Sequence, residues 1–455
     1  MILAGLKRGN AMTERPHLSR NFLALIVLCL SPLFGLAEEA VVVAKPLFRD
    51  FIGINGHTIQ FKPELYSKVC AVVRDYHPME WDTGFDTDYK LDFPFARNRV
   101  SWEQVYGSWR KYGFYNDVCI MFETVPVEKW KSLKLDSYQY GRRFAESFGP
   151  SSSLRLVDAV EIGNEPGKFN DEHYRTVFEN MAKGFREGDP KLKIATCNVN
   201  VGASGDYHKS VDCVDGLSEF YDILNIHSYA LLQGWPTWKR SFPEDEGLAA
   251  YTQDIDKLIA WKNEHVPGKE IWLTEFGWDS STLKPNSTGD FSKWVGNTDL
   301  EQAQWLVRSF FLFAKRDVQR AFIYFFNDDD TPQFHGASGL TRKFEPKPSF
   351  YAIAHLFRTL GDYRFARVVR ESQDNGCVYE FTHESNPSSI IWVAWSPTGT
   401  QKSIEVEIEI GALKLLKTEL MPIAAEPTLL ESVTANGTKV ELKIGESPVY
   451  LFLEK

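Results

Sequence analysis

Two short apolar runs end on a glutamate just where the chain breaks. One is Val160-Glu161-Ile162-Gly163-Asn164-Glu165-Pro166, the other Ile271-Trp272-Leu273-Thr274-Glu275-Phe276-Gly277-Trp278. A buried parallel strand that delivers a side chain to its C-terminal mouth has this form: apolar residues, one carboxylate, then Pro or Gly to turn the chain away. Two such strands in one barrel would bring Glu165 and Glu275 face to face across a long gap in sequence. Cleavage of a glycosidic bond needs such a pair, one carboxyl to protonate the leaving oxygen and one to attack or to activate water. Taken singly, each glutamate is as well explained by an ion-paired loop carboxylate; the pairing carries the chemistry.

The neighbours of each glutamate divide the roles. Pro166 forces the chain out of the strand and fixes Glu165, the candidate acid/base, at the mouth. Glu275, the candidate nucleophile, must stay ionised, which calls for cationic or hydrogen-bond-donating neighbours. Arg74, at the end of a second strand, and Tyr229, at the end of a sixth, are the matching candidates, with pairing to Asp75 or Glu161 as the alternative for Arg74. Glu161 lies on the same strand face as Glu165 and reads as an interior carboxylate tied to Arg74 or another donor. Asn164 is placed to donate to a sugar 2-hydroxyl. His57 and His77 close the first and second strands and are candidates to line a sugar pocket, a purely structural role being as good an account. Trp278, Trp235, Trp238 and Trp81, on loops that follow strands, offer faces for stacking a sugar ring, against plain loop packing.

Asn164-Glu165-Pro166 followed by Thr274-Glu275-Phe276-Gly277 resembles the clan A retaining glycoside hydrolases, nearest to families 39, 30 and 5. The resemblance spans the barrel. It implies a (β/α)8 fold, the acid/base on strand four and the nucleophile on strand seven. It implies double displacement at a β-glycosidic bond, with no cofactor and no metal. It also implies that an arginine and a His-x-Tyr pair, here Arg74 and His227-Ser228-Tyr229, hold the nucleophile. Many members end strand eight on a tryptophan that floors the cleavage subsite; this chain has Phe325-Phe326-Asn327, and Phe326 is expected in that place. Two other outcomes stay open: a transglycosylase using the same base, and a glycan-binding barrel that has lost catalysis.

The elements that must position these residues follow in order. From about residue 45, strand-like runs alternate with amphipathic helical ones, which argues for parallel strands. Strands are expected around Ile54, Val73, Cys119, Val160, Ala195, Ile226, Leu273 and Ile323. The fourth connection shows Tyr174, Val177, Phe178, Met181 and Phe185 as one helical stripe, and Thr298-x-x-Glu301 is a capping box before a long helix. Eight strand–helix units close a TIM barrel over residues 45–361. Beyond Gly361 the texture is all strand and turn, so residues 362–455 are expected to form an antiparallel β-sandwich packed on the barrel, with residues 40–48 adding a strand to it.

Residues 22–37 are apolar, follow Arg15 and Arg20, and end in Gly35-Leu36-Ala37, the pattern of a signal peptide cleaved near Ala37. The expected product is secreted or periplasmic, with no membrane span in the mature chain. The net charge of −10 disfavours nucleic acid and polyanionic glycans as partners. An oligo- or polysaccharide remains the expected one, and the 13 tryptophans suit it. No Cys-x-x-Cys occurs, so no zinc or redox site is expected; Cys197 with Cys213 is the one pair worth testing for a disulfide. Asp328-Asp329-Asp330 reads as a solvated loop, with hydroxyl or calcium binding as the alternative.

Overall fold

The computed structural model describes residues 44–57, 62–425, 428–430 and 433–455. The signal segment and the first part of 40–48 lie outside them. Eight strands form the barrel: β1 (Ile52–Asn55), β2 (Val72–Pro78), β3 (Tyr115–Met121), β4 (Ala159–Ile162), β5 (Lys193–Asn200), β6 (Ile223–His227), β7 (Glu270–Phe276) and β8 (Arg320–Ile323). They pair in parallel in the order β4-β3-β2-β1-β8-β7-β6-β5, and β4 also pairs with β5, which closes the ring. A closed parallel ring leaves no edge, so each backbone polar group finds its partner within the sheet.

Six long helices cover the ring: α1 (Trp102–Lys111), α2 (Leu133–Phe148), α3 (Asp171–Gly188), α4 (Thr252–His265), α5 (Asp299–Ala314) and α6 (Pro348–Leu360). Their starts follow from local chemistry. Ser101, Ser132 and Asn170 cap α1, α2 and α3 through their side chains, Thr298 and Glu301 form the expected capping box on α5, and Pro348 opens α6. The stripe on α3 is fully buried from Tyr174 to Phe185. The expected eight helices are not all present. After β1 the chain makes one helical turn, Pro63–Tyr66, and after β5 only the 3-10 turns Val211–Val214 and Ser218–Phe220. The second of these connections carries Gly202, Gly205 and Gly216 and no helical stripe that could hold a longer helix against the ring.

The barrel interior is layered. Its floor is apolar: Val72, Ala159, Ala195, Ile223, Trp272 and Phe322 pack together. Gly53 makes room for this layer, since a Cβ there would stand 2.4 Å from the Phe322 ring.

The C-terminal strands form two antiparallel sheets, as expected of a sandwich. The larger contains β9 (Tyr363–Arg370), β10 (Cys377–His383), β11 (Ser389–Trp395), β13 (Lys414–Leu420) and β15 (Val449–Glu454), with Thr428–Leu429 at its edge; the smaller contains β12 (Ile404–Glu409) and β14 (Lys439–Ile444), with Thr434–Asn436. Residues alternate buried and exposed along β12 and β14, the period of a strand with one wet face. Trp392, Val406, Ile408, Leu442 and Leu451 fill the space between the sheets. Of the strand expected from residues 40–48, the described part gives one antiparallel bridge, Leu47 to Arg364, before the helical turn Phe48–Phe51.

Barrel and sandwich belong to one compact unit, Lys45–Lys455. Phe311 of α5 meets Trp395 and Phe381 with ring centroids 5.4 and 5.7 Å apart. Arg308, fully buried, reaches Glu244 of the barrel and the Thr398 carbonyl and Glu446 of the sandwich. Trp395 donates to the same Glu244 at 2.7 Å. A buried guanidinium shared this way fixes the register of the two parts.

Candidate active site

Stepping up from the apolar floor by two residues along each strand, the interior turns polar. Val72 is followed by Arg74 and Tyr76, Ala159 by Glu161, Ile223 by Asn225 and His227, and Phe322 by Tyr324. Arg74 is completely buried and organises this layer. Its Nε and Nη2 donate to the two oxygens of Glu161 at 2.8 and 2.7 Å, its Nη1 to Glu275 at 2.9 Å and to Asn55 at 2.8 Å, and its Nη2 to Asn164 Oδ1 at 2.8 Å. Of the three partners named for Arg74 from the sequence, Glu161 and Glu275 are held at once, while Asp75 accepts from Trp109. It lies beneath the cavity and acts through the carboxylates it holds.

Glu275 reaches the cavity through a bulge. On β7 the pairing with β6 runs Ile226 to Leu273 and then His227 to Glu275, so Thr274 and Glu275 together oppose one residue. Such a bulge at a barrel rim re-aims the side chain that follows it. The carboxylate that results is ringed by donors. Tyr76 gives its hydroxyl to Oε1 and Tyr229 gives its hydroxyl to Oε2, each at 2.8 Å, beside Arg74. His227 Nδ1 lies 3.6 Å from Oε2. Burial alone would push the carboxyl pKa up; His227, Arg74 and the two hydroxyls outweigh it and hold it down to about 2.

Glu165 stands half-exposed across the gap, with His227 Nδ1 2.9 Å from its Oε1. One donor atom each from Glu165, His227 and Glu275 falls within a 4.8 Å span. The turn that presents Glu165 is built by Gly163, whose φ of +89° suits glycine and whose Cβ would stand 2.7 Å from the Phe122 ring. Glu123, which the sequence reading missed, accepts the backbone N–H of Asn164 at 2.7 Å and of Glu165 at 3.1 Å. Burial pushes its carboxyl up to about 7, against the pull of those backbone donors. Asn164 spends its oxygen on Arg74, which leaves its amide nitrogen for a substrate hydroxyl.

Glu165, Glu275, Asn164, Tyr76 and Tyr229 line a cavity of about 570 Å³ together with Pro78, Trp81, Met121, His57, Tyr324 and His335. His57 and Trp81 thus stand where the sequence put them. Other candidates are placed elsewhere. Trp278 is fully buried and donates to the Ser241 carbonyl, outside the cavity. Phe326 is buried against Tyr66, ring centroids 3.5 Å apart, because β8 ends at Ile323 and interior alternation stops at Tyr324; Tyr324 is the residue that lines the cavity there. His77 is buried between Tyr106 and Asp82. Asp328 and Asp330 are buried on Lys347 and Arg342, so of the three only Asp329 is exposed and no oxygen-rich calcium loop results. Cys197 and Cys213 are free thiols. Trp235 is 72% exposed, and Trp238 stacks on Phe334 with centroids 4.8 Å apart.

The ligand atoms of Glu165, His227 and Glu275 are close enough together to meet a single cation. Glu275, however, already accepts from Arg74 and two hydroxyls, and a guanidinium at 2.9 Å would repel a divalent ion. The arrangement suits proton and nucleophile chemistry between two carboxyl groups better than metal binding.

No protein-family model matches the chain, and no curated protein sequence matches it. Solved structures do. A family 39 glycoside hydrolase from the gut symbiont Bacteroides cellulosilyticus is 19% identical with a TM-score of 0.66, over 90% of this chain and 81% of that one. A glucosidase from Croceicoccus marinus is 12% identical with a TM-score of 0.62, over 91% of this chain and 97% of the other. A family 30 subfamily 8 xylanase from Clostridium acetobutylicum is 13% identical with a TM-score of 0.55, over 91% and 98%. At these identities the likeness is one of fold: a (β/α)8 barrel carrying a β-sandwich, shared with glycoside hydrolases of families 39 and 30.

Proposed function

We propose that this chain is a glycoside hydrolase that cleaves β-glycosidic bonds of an oligo- or polysaccharide with retention, Glu275 acting as nucleophile and Glu165 as acid/base. The observation that carries the reading is the separation of the two carboxyl groups. One oxygen of Glu165 lies within 4.8 Å of one oxygen of Glu275. Retaining enzymes hold the pair about 5–5.5 Å apart, whereas inverting ones leave about 6.5–9.5 Å for a water. The electrostatics agree, since Glu275 is kept ionised by Arg74 and two hydroxyls while Glu165 is half-exposed at the mouth.

In the first step Glu275 Oε attacks the anomeric carbon while Glu165 protonates the departing oxygen. In the second, Glu165 takes a proton from water, which displaces Glu275 from the sugar. Asn164, fixed by Arg74, donates to a hydroxyl beside the reacting carbon. Residues 1–37 are proposed to direct export, with the mature chain beginning near residue 38; the N-terminal mass of the exported protein checks this.

Replacing Glu165 or Glu275 by Gln tests the reading. Each variant should fold and lose turnover by orders of magnitude. Full activity in both removes the assignment. Azide should restore activity to Glu275→Gly and yield a product of inverted configuration.

A further inference from the structure

The cavity carries two carboxylates and no uncommitted cation. Among the described residues that line it there is neither lysine nor arginine. Two guanidiniums stand close behind its wall, and each is paired with a carboxylate. Arg74 is shared between Glu161 and Glu275. Arg240, 2% exposed, pairs with Asp279 at 3.1 Å and donates to the Gly277 carbonyl at 2.8 Å.

Three imidazoles remain, and His227 is already taken up by the two carboxyl groups, its Nδ1 2.9 Å from Glu165 and 3.6 Å from Glu275. His335 sits with its Nδ1 3.2 Å and its Nε2 3.3 Å from Arg240 Nη2. A guanidinium nitrogen has no acceptor, so a hydrogen bond between the two uses a lone pair on the ring, which favours the neutral imidazole. The ring is held in place firmly. Asp279 accepts the backbone N–H of His335 and of Ala337 and the hydroxyl of Ser338, at 3.1, 3.2 and 2.7 Å. Tyr229 and Tyr324 pack edge-on against it, with centroids 4.6 and 5.4 Å away. Burial, then Arg240, bring its pKa down to about 4 against the opposing pull of Asp279 and Glu275, and His227 adds to the lowering. His57 stacks on Phe325 with centroids 4.7 Å apart and faces Tyr76 and Tyr324; burial lowers its pKa against the pull of Glu275.

We infer that the cavity accepts a neutral sugar at the cleavage position and rejects a uronate or sulfated one, with His335, pinned by Arg240 and Asp279, as a neutral wall where an acid-binding site would need a cation. This inference rests on the glycosidase reading. A carboxylate on the sugar would set a further negative charge beside ionised Glu275, and beside Glu165 once it has given up its proton, in a partly desolvated space whose lining offers neither lysine nor arginine. A neutral sugar meets hydroxyl, amide and imidazole groups that exchange hydrogen bonds without charge.

The test uses the full-length enzyme with a panel of para-nitrophenyl glycosides, among them the β-glucoside, β-galactoside, β-xyloside and β-glucuronide, together with neutral and uronate-rich polysaccharides. Rates are measured at about pH 5 and about pH 7, which bracket the ordinary titration of histidine. The expected kcat/KM on the best neutral substrate is at least tenfold above that on the best uronate at both pH values. A uronate within tenfold of the best neutral substrate at either pH overturns the inference and leaves the hydrolase reading standing. Turnover of no member of the panel removes the hydrolase reading itself, and this inference with it.

Discussion

Replacing Tyr229 by Phe removes a single oxygen and asks whether the nucleophile is kept ionised by the donors around it. The lost hydroxyl stands 2.8 Å from Glu275 Oε2. A hydrogen bond to a charged acceptor contributes about 1.5–3 kcal/mol, and about 1.36 kcal/mol corresponds to one pKa unit. Loss of the bond should therefore raise the pKa of Glu275 by about 1–2 units. The group starts well below the ordinary carboxylate range, so the acid limb of the variant should lie about 1–2 pH units above that of the parent enzyme. The sign follows from the role: attack needs the ionised carboxylate, so activity falls as pH drops through this pKa, and raising the pKa moves the fall to higher pH. The ring should stay in place, because the Arg240 guanidinium packs 4.5 Å from its centroid. The assay is kcat/KM against pH, which reports the free enzyme, with each sample returned to neutral pH to exclude irreversible loss. An acid limb that does not move in Tyr229→Phe would refute the reasoning. Tyr76→Phe should behave alike, and the double variant should move further.

Three further outcomes are expected. Arg74→Met leaves Glu161 buried without its cation, a loss of about 3–5 kcal/mol, read as a lower denaturation midpoint; an unchanged midpoint contradicts the role given to Arg74. Glu165→Gln should lower kcat/KM, which reports the first step, by about 10²–10⁴ on substrates with poor leaving groups and largely spare it on a dinitrophenyl glycoside, whose leaving group departs unprotonated, while kcat falls on both for want of the base; equal losses of kcat/KM on both would speak against Glu165 as the acid. Gly163→Ala puts a Cβ at positive φ against Phe122; a strain of about 1–3 kcal/mol should lower the melting temperature and, by shifting the turn, reduce kcat, and a variant with both unchanged would show that the turn tolerates it.

Much of the site was legible because strand ends are legible. An apolar run that stops at a carboxylate and a proline or glycine located Glu165 and Glu275, strand ends together with the family resemblance located Arg74 and Tyr229, and counting by two along one strand put Glu161 on the face of Glu165. The same rule failed where a strand stopped early: Phe326 was assigned inward on a strand that ends at Ile323, and Tyr324 took its place. Trp278 was read as a sugar platform from its loop position, but it turns back under Ser241, a direction that no local pattern encodes. Tyr76 sits two residues past Arg74 on the same face, so the rule could have found it. Glu123, Arg240 and His335 were out of reach, since each matters through contacts made by loops far apart in sequence. One of the two missing long helices carried a signal after all, the lack of any helical stripe between β5 and β6.

The central claim is that Glu275 bonds to the sugar while Glu165 serves the leaving group. The most direct measurement is the mass of the enzyme, and of its peptides, after reaction with an activated glycoside of its preferred sugar fluorinated at carbon two, which slows release of a covalent intermediate. One glycosyl unit per chain, on the peptide that contains Glu275, is the predicted result. A label on any other carboxylate, or turnover to an inverted product with no adduct, would contradict the account.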